Sequence, residues 1–552
     1  MIATGAWRLA LAAFISLASA AGQVPAGEDC AGCHDQVKKI KAAAHADVGC
    51  ATCHEKHEKY PHPAGTAKPA CAVCHAEVAG KHDRSVHGLA AKKGEAAPDC
   101  SICHGNSHEL KRVIEPEFRK AVPASCGMCH AAEAQKFEGS VHGTALASGT
   151  PSAPICTDCH SAHYILPHTN LSSPVAVGHV RETCGHCHGD LRLSSRLNLP
   201  ADRLTTFDES FHGLAAKAGS QTVANCASCH GYHDILPSSD KRSAVHPLNL
   251  PKTCGKCHEG AGSRFAIGTI HWSEGSREPE GVRWVRTVYQ VVIPLIVGLM
   301  VLHNFGDYWR KLWRLRLRPR VVLTAAAPEA PAAPPAPQIR MYLFERWQHA
   351  LMAVSFFALV WTGFALKYPG EWWARPLLAA EATVSVRGWI HRIAAVIFII
   401  VSGAHFVSLM VSRRLRQHWH NMFPRRSDIP EALKNFAWHL GWLRTKPKLS
   451  AHSYIEKAEY WAVMWGGVVM VATGVILWAN DWALAYLPKT FLDIATSIHF
   501  YEAVLATVSI FVWHFYFVIF DPEVYPMDSA WLTGFSPRKR EPDHEEPARD
   551  KE

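Results

Sequence analysis

Two unlike, all-helical parts are predicted from three features of the 552-residue chain: nine Cys-x-x-Cys-His motifs before residue 260, an Ala/Pro-rich stretch over 325–337, and five long apolar runs. The 18 cysteines all fall inside those motifs, so no thiol is left for another purpose. In such a motif the two cysteines form thioethers to a porphyrin and the adjacent histidine is the proximal iron ligand. Zinc knuckles or a disulfide framework would also use paired cysteines, but neither requires a histidine after every pair. The first part is therefore predicted to be a multihaem cytochrome c domain, short helices and loops wrapped around a haem stack, carrying nine covalent haems c.

The motif residues are Cys30, Cys33 and His34; Cys50, Cys53 and His54; Cys71, Cys74 and His75; Cys100, Cys103 and His104; Cys126, Cys129 and His130. The remaining four are Cys156, Cys159 and His160; Cys184, Cys187 and His188; Cys226, Cys229 and His230; Cys254, Cys257 and His258. Covalent haem attachment of this kind implies a compartment outside the cytoplasm. Residues 1–20 agree: a positively charged start, an apolar run too short to span a bilayer, and small residues at Ala18-Ser19-Ala20 read as a secretory signal peptide.

A repeat underlies the motif spacing. The motifs at Cys100, Cys156 and Cys226 are each preceded by Ser-x-His-Gly, at His87, His142 and His212, and followed by another histidine, His108, His163 or His233. Those at Cys126, Cys184 and Cys254 share Cys-Gly-x-Cys-His and lie 26, 28 and 28 residues further on. A shorter pair, Cys50 with Cys71, opens the series, with His57 just after His54. This is a two-haem module used four times, with one extra haem in front. His45, His87, His142, His212 and His271 follow the odd-numbered motifs, and His57, His108, His163 and His233 follow the even-numbered ones. These nine histidines are the expected distal ligands for nine haems, although spacing does not assign each to its iron. His62, His82, His168, His179, His186 and His246 break the repeat. Two axial imidazoles leave iron no open position, so such haems pass electrons without binding a small substrate.

Apolar runs follow over 287–305, 350–366, 390–410, 461–478 and 498–520, each long enough, or nearly so, to cross the hydrocarbon as a helix. The stretch after the first run is basic from Arg310 to Arg320, and so is the loop after the third, with Arg413, Arg414, Arg416, Arg425 and Arg426 among its cations. Basic loops stay in the cytoplasm. The cysteine-rich part is then outside and the C-terminal tail inside, and the net charge of +9 is mostly a topology signal that needs no nucleic acid. Histidine inside a bilayer is costly unless it binds something. His391 and His405 lie 14 residues apart and His499 and His514 lie 15 apart, with His349 near the start of its run. At 1.5 Å per residue each pair spans about 21–22 Å, which suits two haems b stacked across a four-helix bundle. The expected fold of this part is an all-α transmembrane four-helix cytochrome b bundle with one extra preceding transmembrane helix. The expected boundaries are 1–20 signal peptide, 21–280 haem c domain, 281–320 first transmembrane helix and basic segment, 321–340 linker, 341–525 dihaem membrane domain and 526–552 charged tail.

Glu345-Arg346-x-x-His349, Gly388-x-x-His391, Glu456-Lys457, and His499 with His514 resemble the cytochrome b subunit of respiratory formate dehydrogenases, thiosulfate reductases and bacterial cytochromes b561. That resemblance, covering roughly 341–525, implies an outer haem on His391 and His499 and an inner one on His349 and His514. His405 departs from that pattern: its depth matches His514 and geometry alone permits that pairing, so it stands as the rival of the favoured His349. The whole arrangement resembles the inner-membrane quinol-oxidising cytochromes of metal-reducing bacteria. It implies menaquinol from the quinone pool as donor and periplasmic multihaem cytochromes as acceptors, leading to extracellular metal oxides. The expected activity is quinol:cytochrome c-type oxidoreductase. Glu345, Tyr454, Glu456, Lys457 and Glu459 stand at the inner edge, where carboxylates could take quinol protons. Glu502, one turn after His499, is a second acid for an outer site. Reverse flow from a periplasmic donor to quinone, a terminal reductase of a small oxyanion, and a membrane anchor for a separate catalytic subunit are the rival functions.

Overall fold

The computed structural model describes residues 30–32, 34–54, 70–200, 202–263, 271, 279–317, 339–379, 381, 385–450 and 452–535. The signal peptide, Cys33, His57, the linker up to residue 338 and the tail beyond residue 535 lie outside the described residues. Helices dominate, and the β-type pairing among the described residues is one isolated bridge, Ile339 to Phe535. The chain divides into two compact units, Met1–Thr183 with Gly231–Leu236, and Cys184–His230 with Pro237–Glu552.

Short helices punctuate the first unit, and the two motif classes fold differently. Cys50, Cys100 and Cys156 each open a single helical turn, whereas Cys126 sits at the end of the longer helix Pro116–Gly127. The Ser-x-His-Gly motif is a helix-start device. Ser85 and Ser140 accept the backbone N–H of Gly88 and Gly143 at 3.2 and 3.1 Å, which caps the helix and leaves the histidine on its first turn. The glycine is needed because the chain folds tightly against itself: a Cβ at Gly143 would lie 2.1 Å from the Phe137 carbonyl oxygen. The repeat is tied together by equivalent hydrogen bonds, Ala44 N–H to Leu110 O, Val86 N–H to Ile165 O and Val141 N–H to Ile235 O, at 2.7, 2.9 and 2.9 Å. The apolar core is small, centred on Val122, Leu146, Ala153 and Ile155.

In the second unit, Ser210 caps a third copy of the helix start through Gly213 N–H, at 3.1 Å. Five helices are long and apolar enough to cross a membrane: Glu280–Arg314, Leu343–Lys367, Val386–Val411, Tyr454–Trp478 and Lys489–Phe520. These are the first to fifth spans. Each outruns the apolar run that predicts it, because the helices continue through polar end turns. The second span packs on the third, the fourth on the fifth, and the first on the fifth. Within the fifth span the helix widens to π geometry over Ile510–His514 and again over Tyr516–Phe520. Such widenings re-aim side chains and recur at functional sites. A short helix Asp428–His439 precedes the fourth span and lies against the first.

Candidate functional site: paired histidines

Histidine rings face one another throughout the chain at nearly one spacing. In the first unit the pairs are His54 with His108, His45 with His75, His87 with His130, His104 with His163, and His160 with His233, at centroid distances of 5.8, 6.1, 6.3, 6.0 and 6.0 Å. In the second unit they are His212 with His258, His230 with His271, His391 with His499, and His349 with His514, at 6.2, 6.2, 6.5 and 6.2 Å. Two imidazoles on opposite sides of one metal, each about 2 Å from it, put their centroids about 6.3 Å apart. The gap in every pair fits an iron.

The pairing rule is one that spacing could not supply. In none of the seven motif pairs above does the proximal histidine face the histidine next to it in sequence. His108, His163 and His233, three or four residues after a motif, face His54, His104 and His160 of the preceding module. His45, His87 and His212 reach forward to His75, His130 and His258. His142 follows Ser140 in the same helix-start geometry. Among the described residues no three His, Cys, Asp or Glu side chains converge into a metal-ion cage, and the described cysteines are not in disulfides. Burial holds His104, His160 and His230 below the ordinary imidazole range and brings His271 down to about 4, favouring the neutral ring that a metal ligand needs.

Hydrogen bonds orient the rings. Thr362 donates to Ala358 O at 2.6 Å, so its oxygen is left to accept from His391 Nδ1 at 2.8 Å. Thr473 donates to Val469 O and accepts from His499 Nδ1, at 2.7 and 2.9 Å, and Thr206 repeats the pattern with Asp202 O and His271, at 2.8 and 3.2 Å. Carboxylates do the same for His514, whose Nδ1 lies 3.2 Å from Glu459 Oε2, and for His258, whose Nδ1 lies 2.6 Å from Asp481 Oδ1. A partner on Nδ1 fixes the tautomer in which Nε2 carries the free lone pair. His405 is the opposite case: its Nε2 is held by Tyr460 Oη at 2.9 Å, so the ring facing His514 is that of His349.

A Thr-Gly step recurs beside the His391–His499 pair. Gly363 and Gly474 follow Thr362 and Thr473, and a Cβ at either would come within 3.6 and 3.4 Å of the His391 and His499 rings. Residues 340–527 match the prokaryotic cytochrome b561 family. The second to fifth spans lie in that match, which fits a membrane protein whose helices carry electrons through b haems. No curated protein and no solved structure matches the chain.

The other expected site residues are also placed. Tyr454 donates to His303 Nε2 at 2.6 Å and accepts from Asn435 Nδ2 at 2.9 Å. Lys457 is buried against Asp428 at 2.6 Å, and both line an open pocket of about 200 Å³ with Tyr454, Pro424, Ala458 and Trp461. Glu345 caps its own helix through Tyr342 N–H and lies 3.1 Å from His418, while Glu456 pairs with Arg340. Glu502 accepts from Tyr289 of the first span at 2.8 Å. Sequence reading missed the Thr-Gly steps, Asp481, and the buried His303, Asp307 and Lys311. The spacing of those last three by four residues along one helix face was the available signal.

Proposed function

We propose that the chain is a menaquinol oxidase of the bacterial inner membrane that delivers electrons to periplasmic cytochromes and, through them, to extracellular acceptors such as metal oxides. Nine haems c on the Cys-x-x-Cys-His motifs and two haems b in the membrane bundle would supply one-electron transfer between donor and acceptor. The observation that carries the reading is the run of paired imidazoles at iron spacing in both the motif modules and the bundle. His391 with His499 would hold the outer haem b, and His349 with His514 the inner one. The nine motif histidines and their distal partners would hold the c haems. A haem with imidazole on both faces has no open iron position, which argues against the oxyanion-reductase reading wherever the rings pair.

The side chains also bear on direction. Glu459 accepts from His514 Nδ1, which gives that imidazole anionic character and favours ferric iron, whereas the Thr362 and Thr473 hydroxyls give the outer pair none. A lower inner potential sends electrons outward, the quinol-oxidising sense. Tyr454, Lys457 and Asp428 line a pocket at the inner end, suited to a quinol head group with two hydroxyls. Asp481 holds His258, and the helix Phe211–Lys217 bearing His212 packs on the second span. The ninth c-haem site therefore adjoins the outer end of the bundle and is the natural receiver of its electrons.

Two measurements on the isolated holoprotein test the reading. A pyridine haemochrome assay is expected to return nine c-type and two b-type haems per chain. A reduced menaquinone analogue is expected to reduce first the b and then the c absorption bands. Far fewer c haems, no b haem, or b bands that the quinol leaves oxidised would overturn it.

A further inference from the structure

The first span lies outside the cytochrome b561 match, yet it carries a buried polar chain. His303, Asp307 and Lys311 are all buried on one face. Lys311 Nζ lies 2.6 Å from Asp307 Oδ2, 2.7 Å from Asp521 Oδ2 and 3.9 Å from Glu523 Oε2, and Glu523 continues to Lys446 at 2.7 Å. Tyr516 donates to Asp307 at 2.7 Å, and His439 Nε2 lies 3.3 Å from Asp307 Oδ1. The His439 ring meets the His303 ring edge-on at 4.5 Å, and His303 accepts from Tyr454, which lines the pocket. A polar chain of this length within apolar helices is costly to bury and marks a pathway more often than a strut.

The chain also has gaps that water would fill. Asn435 Oδ1, His439 Nδ1, Trp438 Nε1 and Trp513 Nε1 are buried without a partner, and Trp438 and Asn435 are almost wholly enclosed. Several unpaired polar atoms in one buried neighbourhood are the ordinary setting of ordered water, and water there would bridge His303 and His439. Asp428, Glu431, Lys434, Glu456, Lys457, Glu459, Arg310 and Arg314 are also charged groups on the helices packed around this region, and Arg310 and Arg314 cover Trp438.

We propose that Tyr454, His303, His439, Asp307 and the Lys311–Asp521–Glu523 cluster form the proton exit for quinol oxidation, opening on the cytoplasmic side at Glu523 and Lys446. This deepens the quinol reading and rests on it. Each quinol loses two O–H protons and two electrons, becoming quinone. A ferric haem held by His349 and His514 would be the oxidant, taking the electrons one at a time, and the two protons pass through Tyr454 to His303 and down the chain. Protons and electrons then leave on opposite sides of the membrane, so turnover moves charge across it.

The test uses the full-length holoprotein in vesicles containing a trapped pH dye, with valinomycin and potassium to collapse the potential, menadiol as donor and impermeant ferricyanide outside. Only molecules with the haem c part outward then turn over. Wild type is expected to acidify the lumen by one proton per electron. Asp307→Asn and His303→Gln are expected to slow turnover on the order of tenfold to a hundredfold and to enlarge the solvent deuterium isotope effect. Haem content, b-haem spectra and reduction by dithionite should stay as in wild type, and Asp307→Glu should restore most of the rate. If Asp307→Asn does not assemble, His303→Gln, which keeps a hydrogen-bonding side chain, carries the comparison. Acidification of the outer medium alone, or wild-type rates and isotope effects in both variants, would overturn the proposal. Failure of menadiol to reduce the wild-type b haems would instead remove the quinol reading, and the exit with it.

Discussion

The cysteine-motif modules and the membrane bundle position the same chemical group, a pair of facing imidazoles, by different means. In the modules one local device recurs: a serine caps the helix, a glycine permits the close turn, and the histidine follows from the repeat. In the bundle three of the four rings have their own hydrogen-bond partner, Thr362 for His391, Thr473 for His499 and Glu459 for His514, and His349 Nδ1 has none. The difference follows from the chemistry of attachment. On the reading proposed above, a motif would tether its porphyrin covalently, so its axial histidines would need only to come within reach. Nothing covalent holds a haem b, so ligand orientation and surrounding hydrogen bonds must supply both affinity and potential.

The largest expected effect tests that contrast directly. His514→Ala or His349→Ala should remove one of two haems b from the purified protein, whereas His87→Ala should leave all nine c haems attached and turn one high-spin. Haemochrome counts and EPR read both outcomes, and His405→Ala should retain both haems b. Loss of a haem b from His405→Ala with retention in His349→Ala would reverse the inner assignment. Next in size is Gly143→Ala, whose Cβ meets the Phe137 carbonyl oxygen at 2.1 Å, for a cost of about 2–3 kcal/mol read as a lower unfolding temperature. Glu459→Gln should raise the inner haem potential by about 60 mV, a tenfold change for one electron. Thr473→Val should move the outer one by roughly half as much in a potentiometric titration. Ser140→Ala, which removes a cap, should cost about 1 kcal/mol.

The smallest effect is one of pH. Burial works against ionisation of Asp428, but the Arg425 N–H and Lys457 hold its carboxyl below the usual range. A depressed native value stabilises the fold fully above the unfolded value of about 3.9. That contribution fades as pH falls through the native value. Asp428→Asn should therefore flatten the loss of stability below about pH 4 while being destabilising near neutrality, measured by denaturant unfolding across pH.

Much of this was legible beforehand because covalent attachment and bilayer thickness act on short stretches of chain. Cys-x-x-Cys-His needs only five consecutive residues, and an apolar run of bilayer length declares a span by itself. His391, His499 and His514 stood out as imidazoles where lipid would exclude them. Depth could not decide between the favoured His349 and its rival His405, because depth along a helix says nothing about which way a ring faces. His405 turns its Nε2 to Tyr460. Asp481 was invisible, since a carboxylate in a loop has no pattern until His258 is seen beside it.

By itself, the sequence determined how many imidazole pairs to expect, where the spans run and which part holds the Cys-x-x-Cys-His motifs, all consequences of local spacing and composition. Tertiary structure alone decided which histidine meets which, which nitrogen each presents, and that the first span threads a buried chain from Tyr454 toward Glu523. Those contacts join residues far apart in sequence, and only the packing of helices against one another settles which side chains come within hydrogen-bonding reach.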